Sequence, residues 1–143
     1  MNTAELRAAL AEFRAFSSDT PPVVEAYYQF YDMNLVSGGY AKQQTIGLYR
    51  CRGEKLVAQA FFAESATANA LIVHGYMDHT GLYGKLIRHL LSHNINVFMV
   101  DLAGHGLSTG TQCSIGSFFD YTDALNKLID ISTTQAPKLP WYL

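Results

Sequence analysis

What this sequence lacks narrows it before any motif is read. No apolar run is long enough to cross a bilayer, so a transmembrane helix is not expected. No apolar leader opens the chain either. Glu5, Arg7, Glu12 and Arg14 interrupt its first residues, which does not fit a secretory signal. Neither sign of charge dominates: Lys and Arg number 10 against 12 Asp and Glu, and the net charge is −2. With no basic face, nucleic acid is not an expected partner. Cysteine is scarce. Cys51 and Cys113 stand far apart and in no metal-ligand spacing, which fits reduced thiols in a cytoplasmic protein. Repeats and low-complexity tracts are absent.

What is present is enough apolar material for one core: 49% of 143 residues. The organising stretch is residues 71–110, LIVHGYMDHTGLYGKLIRHLLSHNINVFMVDLAGHGLSTG. Ala70, Leu71, Ile72 and Val73 form a short β-branched run suited to a buried strand. A turn follows, from His74 to His79. Residues 80–93 then have helical period, with Tyr83, Leu86, Ile87, Leu90 and Leu91 on one face and Asn94 at the C-cap. Residues 96–100 are a second apolar run, and Asp101 opens a glycine-rich turn. Strand, helix and strand within about 30 residues make a βαβ unit, with parallel strands and a right-handed crossover.

The flanks are read the same way. Thr3 caps a helix over residues 3–16, with Leu6, Leu10, Phe13 and Phe16 as its stripe. Residues 17–22 are a linker. Residues 23–31, rich in tyrosine, pack on the sheet as a short helix or turn. Residues 44–51 and 55–63 flank Arg52-Gly53-Glu54 as an edge hairpin. Ser117 caps a helix over residues 118–131, with Tyr121, Leu125, Leu128 and Ile129 inward. Residues 139–143 begin another buried strand. The chain thus divides into a lead-in, residues 1–43, and a main unit, residues 44–143.

Two turns carry chemistry: His74-Gly75-Tyr76-Met77-Asp78-His79, and Asp101-Leu102-Ala103-Gly104-His105-Gly106-Leu107-Ser108. In this order and spacing they resemble the N-terminal half of an α/β-hydrolase, of the monoacylglycerol lipase, lysophospholipase and serine-aminopeptidase-like group. The resemblance covers residues 44–143. It implies an α/β fold with a β-hairpin edge and parallel βαβ units, C-terminally truncated at the strand before the nucleophile elbow. It implies a serine hydrolase of carboxylic esters, with a small-molecule or lipid ester as substrate, transient contact with a membrane surface, and no cofactor. The oxyanion donor falls on the backbone N–H of Tyr76, and His74, Gly75, Tyr76 and Met77 become substrate-binding residues. Acyl transfer passes through an oxyanion, and losing one such donor raises the barrier by about 3–4 kcal/mol.

Gly106-Leu107-Ser108-Thr109-Gly110 matches Gly-x-Ser-x-Gly by letter. A nucleophile elbow, however, sets its serine directly between a strand and a helix, and the triad histidine comes later in the chain. Here Ala103-Gly104-His105-Gly106 lies between the strand end and Ser108, and no histidine follows His105. Ser108 is therefore read as structural. The resemblance puts the nucleophile, the carboxylate and the histidine beyond Leu143, so these residues alone are expected to be inactive, and their open strand invites aggregation. A non-catalytic half-fold for binding or assembly, a peptidase and an epoxide-type hydrolase of the same fold are the alternatives.

Two weaker patterns are set aside. Gly104, Gly106 and Gly110 lack the spacing and immediate helix of a dinucleotide loop. His89 and His93, four apart on one helix, have no further ligand partner, and the helix dipole accounts for them without a metal. Asp78 and Asp101 are read as turn anchors.

Overall fold

The computed structural model describes residues 2–15, 17, 20–135 and 138–143. Its centre is a five-stranded sheet, built from β1 (Gln43–Cys51), β2 (Glu54–Phe62), β3 (Ala68–Ile72), β4 (Ile95–Asp101) and β5 (Trp141–Tyr142) in the order β1-β2-β4-β3-β5. β1 and β2 form the expected hairpin, closed by Arg52 and Gly53 with φ of 51° and 84°. That left-handed pair matches the natural twist of the strands. β2 runs antiparallel to β4, while β3 runs parallel to both β4 and β5.

Alternation along the central strands builds two cores. Val57, Phe61, Val97 and Met99 face one side, where Leu6, Leu10, Val24, Tyr27, Tyr28, Ile87 and Leu91 cover them. Leu56, Ala58, Ala60, Phe98 and Val100 face the other, covered by Phe13, Ala124 and Leu128. Each large apolar side chain buried in this way contributes about 1.5–3 kcal/mol.

The helices are α1 (Thr3–Ala9), α2 (Pro22–Phe30), α3 (Gly84–Ser92) and α4 (Phe118–Gln135). α4 opens on a reciprocal cap: Ser117 Oγ accepts from the Phe119 N–H, and Asp120 Oδ2 accepts from the Ser117 N–H. It runs past the expected residue 131 to Gln135, whose Oε1 accepts the Ala15 N–H at 2.7 Å.

α1 departs from the sequence reading. Asn2, not Thr3, caps it, and it stops at Ala9. The next residues extend along β1 instead: the Phe13 N–H donates to the Leu48 carbonyl at 2.7 Å, and the Leu48 N–H donates to that of Ala11 at 2.9 Å. The open edge of β1 offers these bonds, and Gly47 leaves room for them, since a Cβ there would lie 2.5 Å from Phe13 Cα. The expected stripe is thereby split. Leu6 and Leu10 enter one core and Phe13 the other, while Phe16 lies outside the described residues, as do Ser18 and Asp19 of the linker.

The helix between β3 and β4 also starts later than its period suggests. Residues Thr80–Tyr83 form a 3₁₀ turn, and α3 begins at Gly84. Ile87 and Leu91 are buried, but Leu86 is 42% exposed. Asn94, at φ 59°, follows the cap residue His93. Among the described residues no helix is long and apolar enough to cross a membrane.

Candidate active site

The turn after β3 and the turn after β4 leave the carboxyl ends of adjacent parallel strands, the place where ligands bind in open α/β sheets. His74 ties them together. Its Nε2 accepts the Leu102 N–H at 2.9 Å, so its Nδ1 carries the proton and donates to the Gly75 carbonyl at 2.9 Å. The ring is 4% exposed. His74 therefore works as a brace behind the turn rather than as an open contact surface.

Asp101 is the second brace. It is fully buried, and its Oδ1 accepts the Thr80 N–H while its Oδ2 accepts the Leu107 N–H, both at 2.8 Å. One carboxylate thus anchors the segment after each strand, with the stronger bonds an ionised acceptor makes. Beneath Thr80, Gln59 Nε2 donates to Thr80 Oγ1 at 2.6 Å and to the Tyr27 hydroxyl at 3.2 Å. Burial, then the charge of Asp101, pushes the Tyr27 hydroxyl up, so it stays protonated. From α1, Arg7 donates to the carbonyls of Leu107 and Ser108.

The turn held by these braces presents Tyr76 and Met77, 74% and 73% exposed. Met77 is left-handed, at φ 61°. The Asp78 N–H donates to the Gly75 carbonyl at 3.2 Å, while no hydrogen bond among the described residues uses the Tyr76 N–H. Asp78 Oδ2 accepts from the Tyr83 hydroxyl at 2.7 Å, and Oδ1 accepts from the His79 N–H. The Tyr83 bond chiefly, then the His79 bond, holds the Asp78 carboxyl below its usual range. His79 Nδ1 accepts the Gly81 N–H and so caps the 3₁₀ turn.

Beside this turn lies a cavity of about 420 Å³, lined by Val73, His74, Gly75, Tyr76, Leu102, His105, Cys113, Ile115, Phe118 and Tyr121. Its wall is mainly apolar. Burial, with Cys113 and Tyr76 adding to it, pushes the Tyr121 hydroxyl up. Cys113, Ile115 and Phe118 belong to the loop and helix start after β4, and sequence reasoning did not single them out for the site. Phe118 and its neighbour Phe119, at the start of α4, are 81% and 75% exposed. A cavity of about 440 Å³ elsewhere, lined by Thr20, Glu25, Asn34 and Gln43 among others, lies between the lead-in and the start of β1 and includes no residue of the turns after β3 and β4.

Ser108 is 6% exposed. Its hydroxyl donates to the Asp101 carbonyl and accepts the Val57 N–H at 2.9 Å, which ties the end of β4 to β2. The neighbouring glycines serve the same packing. A Cβ at Gly106 (φ 49°) would stand 2.3 Å from Asp101 Oδ2, and no helix follows until Phe118. This is not a phosphate cradle. The rings of His89 and His93 lie 4.5 Å apart, tilted at 46°, at the exposed end of α3, and His93 Nδ1 donates to the His89 carbonyl. Among the described residues no group of three or more potential metal ligands occurs.

The family model for the serine aminopeptidases, S33, matches residues 64–143, more than half of the chain. The chain belongs to that family. Its relatives are monoglyceride lipase- and lysophospholipase-like α/β-hydrolases. Human monoglyceride lipase is 31% identical over 85 residues, which are 58% of this chain and 28% of that protein. Phospholipase YtpA of Bacillus subtilis is 35% identical over 72 residues, 50% of this chain and 28% of that one. The chain therefore spans well under half the length of these relatives. Among solved structures, a thermostable carboxyl esterase from Bacillus coagulans superposes with a TM-score of 0.60 at 16% identity, over 68% of this chain and 34% of that one. A soluble variant of the Saccharomyces cerevisiae monoglyceride lipase, solved with a substrate analogue, gives 0.57 at 17% identity, over 71% and 34%. These likenesses show the fold: the N-terminal portion of an α/β-hydrolase, as the resemblance of the two turn motifs implied.

Proposed function

We propose that these residues supply the oxyanion side of a serine hydrolase acting on carboxylic esters of the monoacylglycerol or lysophospholipid type. The observation that carries the reading is the Tyr76 N–H, unused among the described residues, on a turn braced by His74 and Asp101 at the carboxyl ends of two parallel strands. A serine hydroxyl attacks the ester carbonyl, a histidine takes its proton and a carboxylate orients that histidine. The carbonyl oxygen gains negative charge as the tetrahedral intermediate forms. A fixed N–H stabilises it there without the reorganisation that water would need.

In this reading His74 holds the turn, Gly75 allows the acyl group to approach the backbone, and Tyr76 and Met77 contact the substrate. The apolar cavity beside them suits an acyl chain. The attacking serine is not Ser108, whose hydroxyl is committed to the Asp101 carbonyl and the Val57 N–H. No triad residue is assigned within these 143 residues, and no cofactor is needed for the chemistry. A lipid ester substrate brings transient contact with a membrane surface. The separated thiols of Cys51 and Cys113 support a cytoplasmic setting. The lead-in and the main unit, residues 1–43 and 44–143, act as one body here, because Arg7 holds the loop that also carries Ser108.

The deciding experiment compares two substitutions where a nucleophile is supplied in cis. Tyr76→Ala keeps the backbone donor and retains most of kcat. Tyr76→Pro removes it and lowers kcat about 10²–10³-fold on monoacylglycerol. The purified 143 residues alone are expected to leave a p-nitrophenyl ester intact. Turnover by them that disappears in Ser108→Ala would overturn the reading.

A further inference from the structure

The turn after β3 divides between two cavities. His74, Gly75 and Tyr76 line the apolar one, whereas Met77, Asp78 and His79 line a second of about 410 Å³, mainly polar, which adjoins it. Arg7 lines the second cavity too. It comes from α1, outside residues 64–143 that the family model matches. Its Nε and Nη2 donate to the carbonyls of Leu107 and Ser108, while Nη1 makes no hydrogen bond among the described residues. Neutral carbonyls fix the guanidinium and leave its charge uncompensated. Asp78 is held by neutral donors in the same way, the Tyr83 hydroxyl and the His79 N–H, and it is ionised at neutral pH because they hold its carboxyl below the usual range. Its oxygens can accept further bonds. Among the described residues no ion pair involves Arg7 or Asp78, so one cavity carries a fixed cation and a fixed anion that do not neutralise each other. His79 adds a donor: its Nδ1 accepts the Gly81 N–H at 3.2 Å, which leaves the ring proton on Nε2.

We propose that this polar cavity takes the zwitterionic head of a lysophospholipid, a phosphate followed by an amine cation. The phosphate oxygens accept from Arg7 Nη1 and His79 Nε2, and the cation lies against the Asp78 carboxylate. With the acyl chain in the adjoining apolar cavity, the ester between chain and head falls at Tyr76 and Met77, where the turn passes from one cavity to the other. An uncharged glycerol head leaves both ions unpaired, and a purely anionic head satisfies Arg7 but faces Asp78. The assignment rests on the ester reading above and narrows it, favouring lysophospholipid over monoacylglycerol.

The test measures binding to the full chain by amide NMR, with octanoyl lipids kept below their micelle concentrations. Lysophosphatidylcholine carries both charges, lysophosphatidylglycerol only the phosphate, and monooctanoylglycerol neither. Lysophosphatidylcholine is expected to bind at least about tenfold tighter than either of the others and to shift the amides of His79 and Gln112, which line the polar cavity. Asp78→Asn brings it down to the level of lysophosphatidylglycerol, and Arg7→Gln removes its advantage over monooctanoylglycerol. The comparison of lipids on the unaltered chain, with Asp78→Asn, serves as the test if Arg7→Gln does not fold. Equal affinity for lysophosphatidylcholine and monooctanoylglycerol, tighter binding of lysophosphatidylglycerol, or no binding of lysophosphatidylcholine overturns the proposal. Binding needs no nucleophile, so it is read apart from the kcat of Tyr76→Pro. A missing preference beside an intact Tyr76→Pro effect sinks only the head assignment, and the reverse sinks only the ester chemistry.

Discussion

Gly106 and Asp101 are fitted to each other: a Cβ on Gly106 would lie 2.3 Å from Asp101 Oδ2, the oxygen that accepts the Leu107 N–H. The glycine lets the chain fold back over the carboxylate, and the carboxylate holds the chain there. Gly106→Ala adds both a clash and a left-handed alanine, at φ 49°. It is expected to lower unfolding free energy by about 2 kcal/mol or more, read from a urea transition.

Asp101→Asn keeps the shape but turns one acceptor into a donor. Either the Thr80 or the Leu107 N–H then faces an amide NH₂ and is left buried and unpaired. The expected cost is about 1–3 kcal/mol. Faster amide exchange at Thr80 or Leu107 would localise it, and unchanged exchange at both would remove Asp101 as a brace.

Ser108→Ala deletes the acceptor of the Val57 N–H and a donor to the Asp101 carbonyl. A stability loss of about 1–3 kcal/mol is expected, with no change in labelling by a fluorophosphonate. A probe that marks Ser108 in the wild type would make it a nucleophile after all.

Asp78 gives a pH dependence of known sign. Its carboxyl is held down, first by the Tyr83 hydroxyl and then by the His79 N–H. A depressed carboxyl stabilises the fold above its unfolded value, about 3.9, and that stabilisation is lost as pH falls through the folded value. Tyr83→Phe removes the largest cause, so the Asp78 carboxyl carbon should titrate at higher pH in an NMR experiment. An unchanged midpoint would refute the assignment.

Burial raises the Cys51 thiol above its ordinary range, with nearby charges adding in both directions. Less of it is thiolate near neutral pH, so iodoacetamide should modify Cys51 more slowly than a free cysteine peptide. Urea should remove the difference. Equal rates in the folded chain would contradict the burial effect.

The elements of this fold are local enough to read from the chain. The Arg52-Gly53 hairpin, the β3–α3–β4 unit, the Ser117 cap and the strand at Trp141 follow from period, turn chemistry and capping. So do the two turn motifs and the anchoring part of Asp101, because motif spacing is itself a local property. The exposed Leu86 and the short α1 were not legible. Helical period cannot register that Asp101 takes the Thr80 N–H, so that Thr80–Tyr83 coils as a 3₁₀ turn before α3 begins. Nor can it register that the edge of β1 draws residues 11–13 out of the helix.

By itself, then, the sequence determined the order of the sheet strands and of the helices after β3 and β4, which turns join them, and that Tyr76 follows a His-Gly pair. Tertiary structure alone decided which backbone groups Asp101 and His74 satisfy, that the Ser108 hydroxyl is spent on β2 and β4, and that Cys113 returns to the cavity beside Tyr76. The division has a physical cause. Period and turn preference act over a few neighbouring residues, whereas a buried donor or acceptor is satisfied by whatever group the packed sheet brings within reach, however far along the chain it lies.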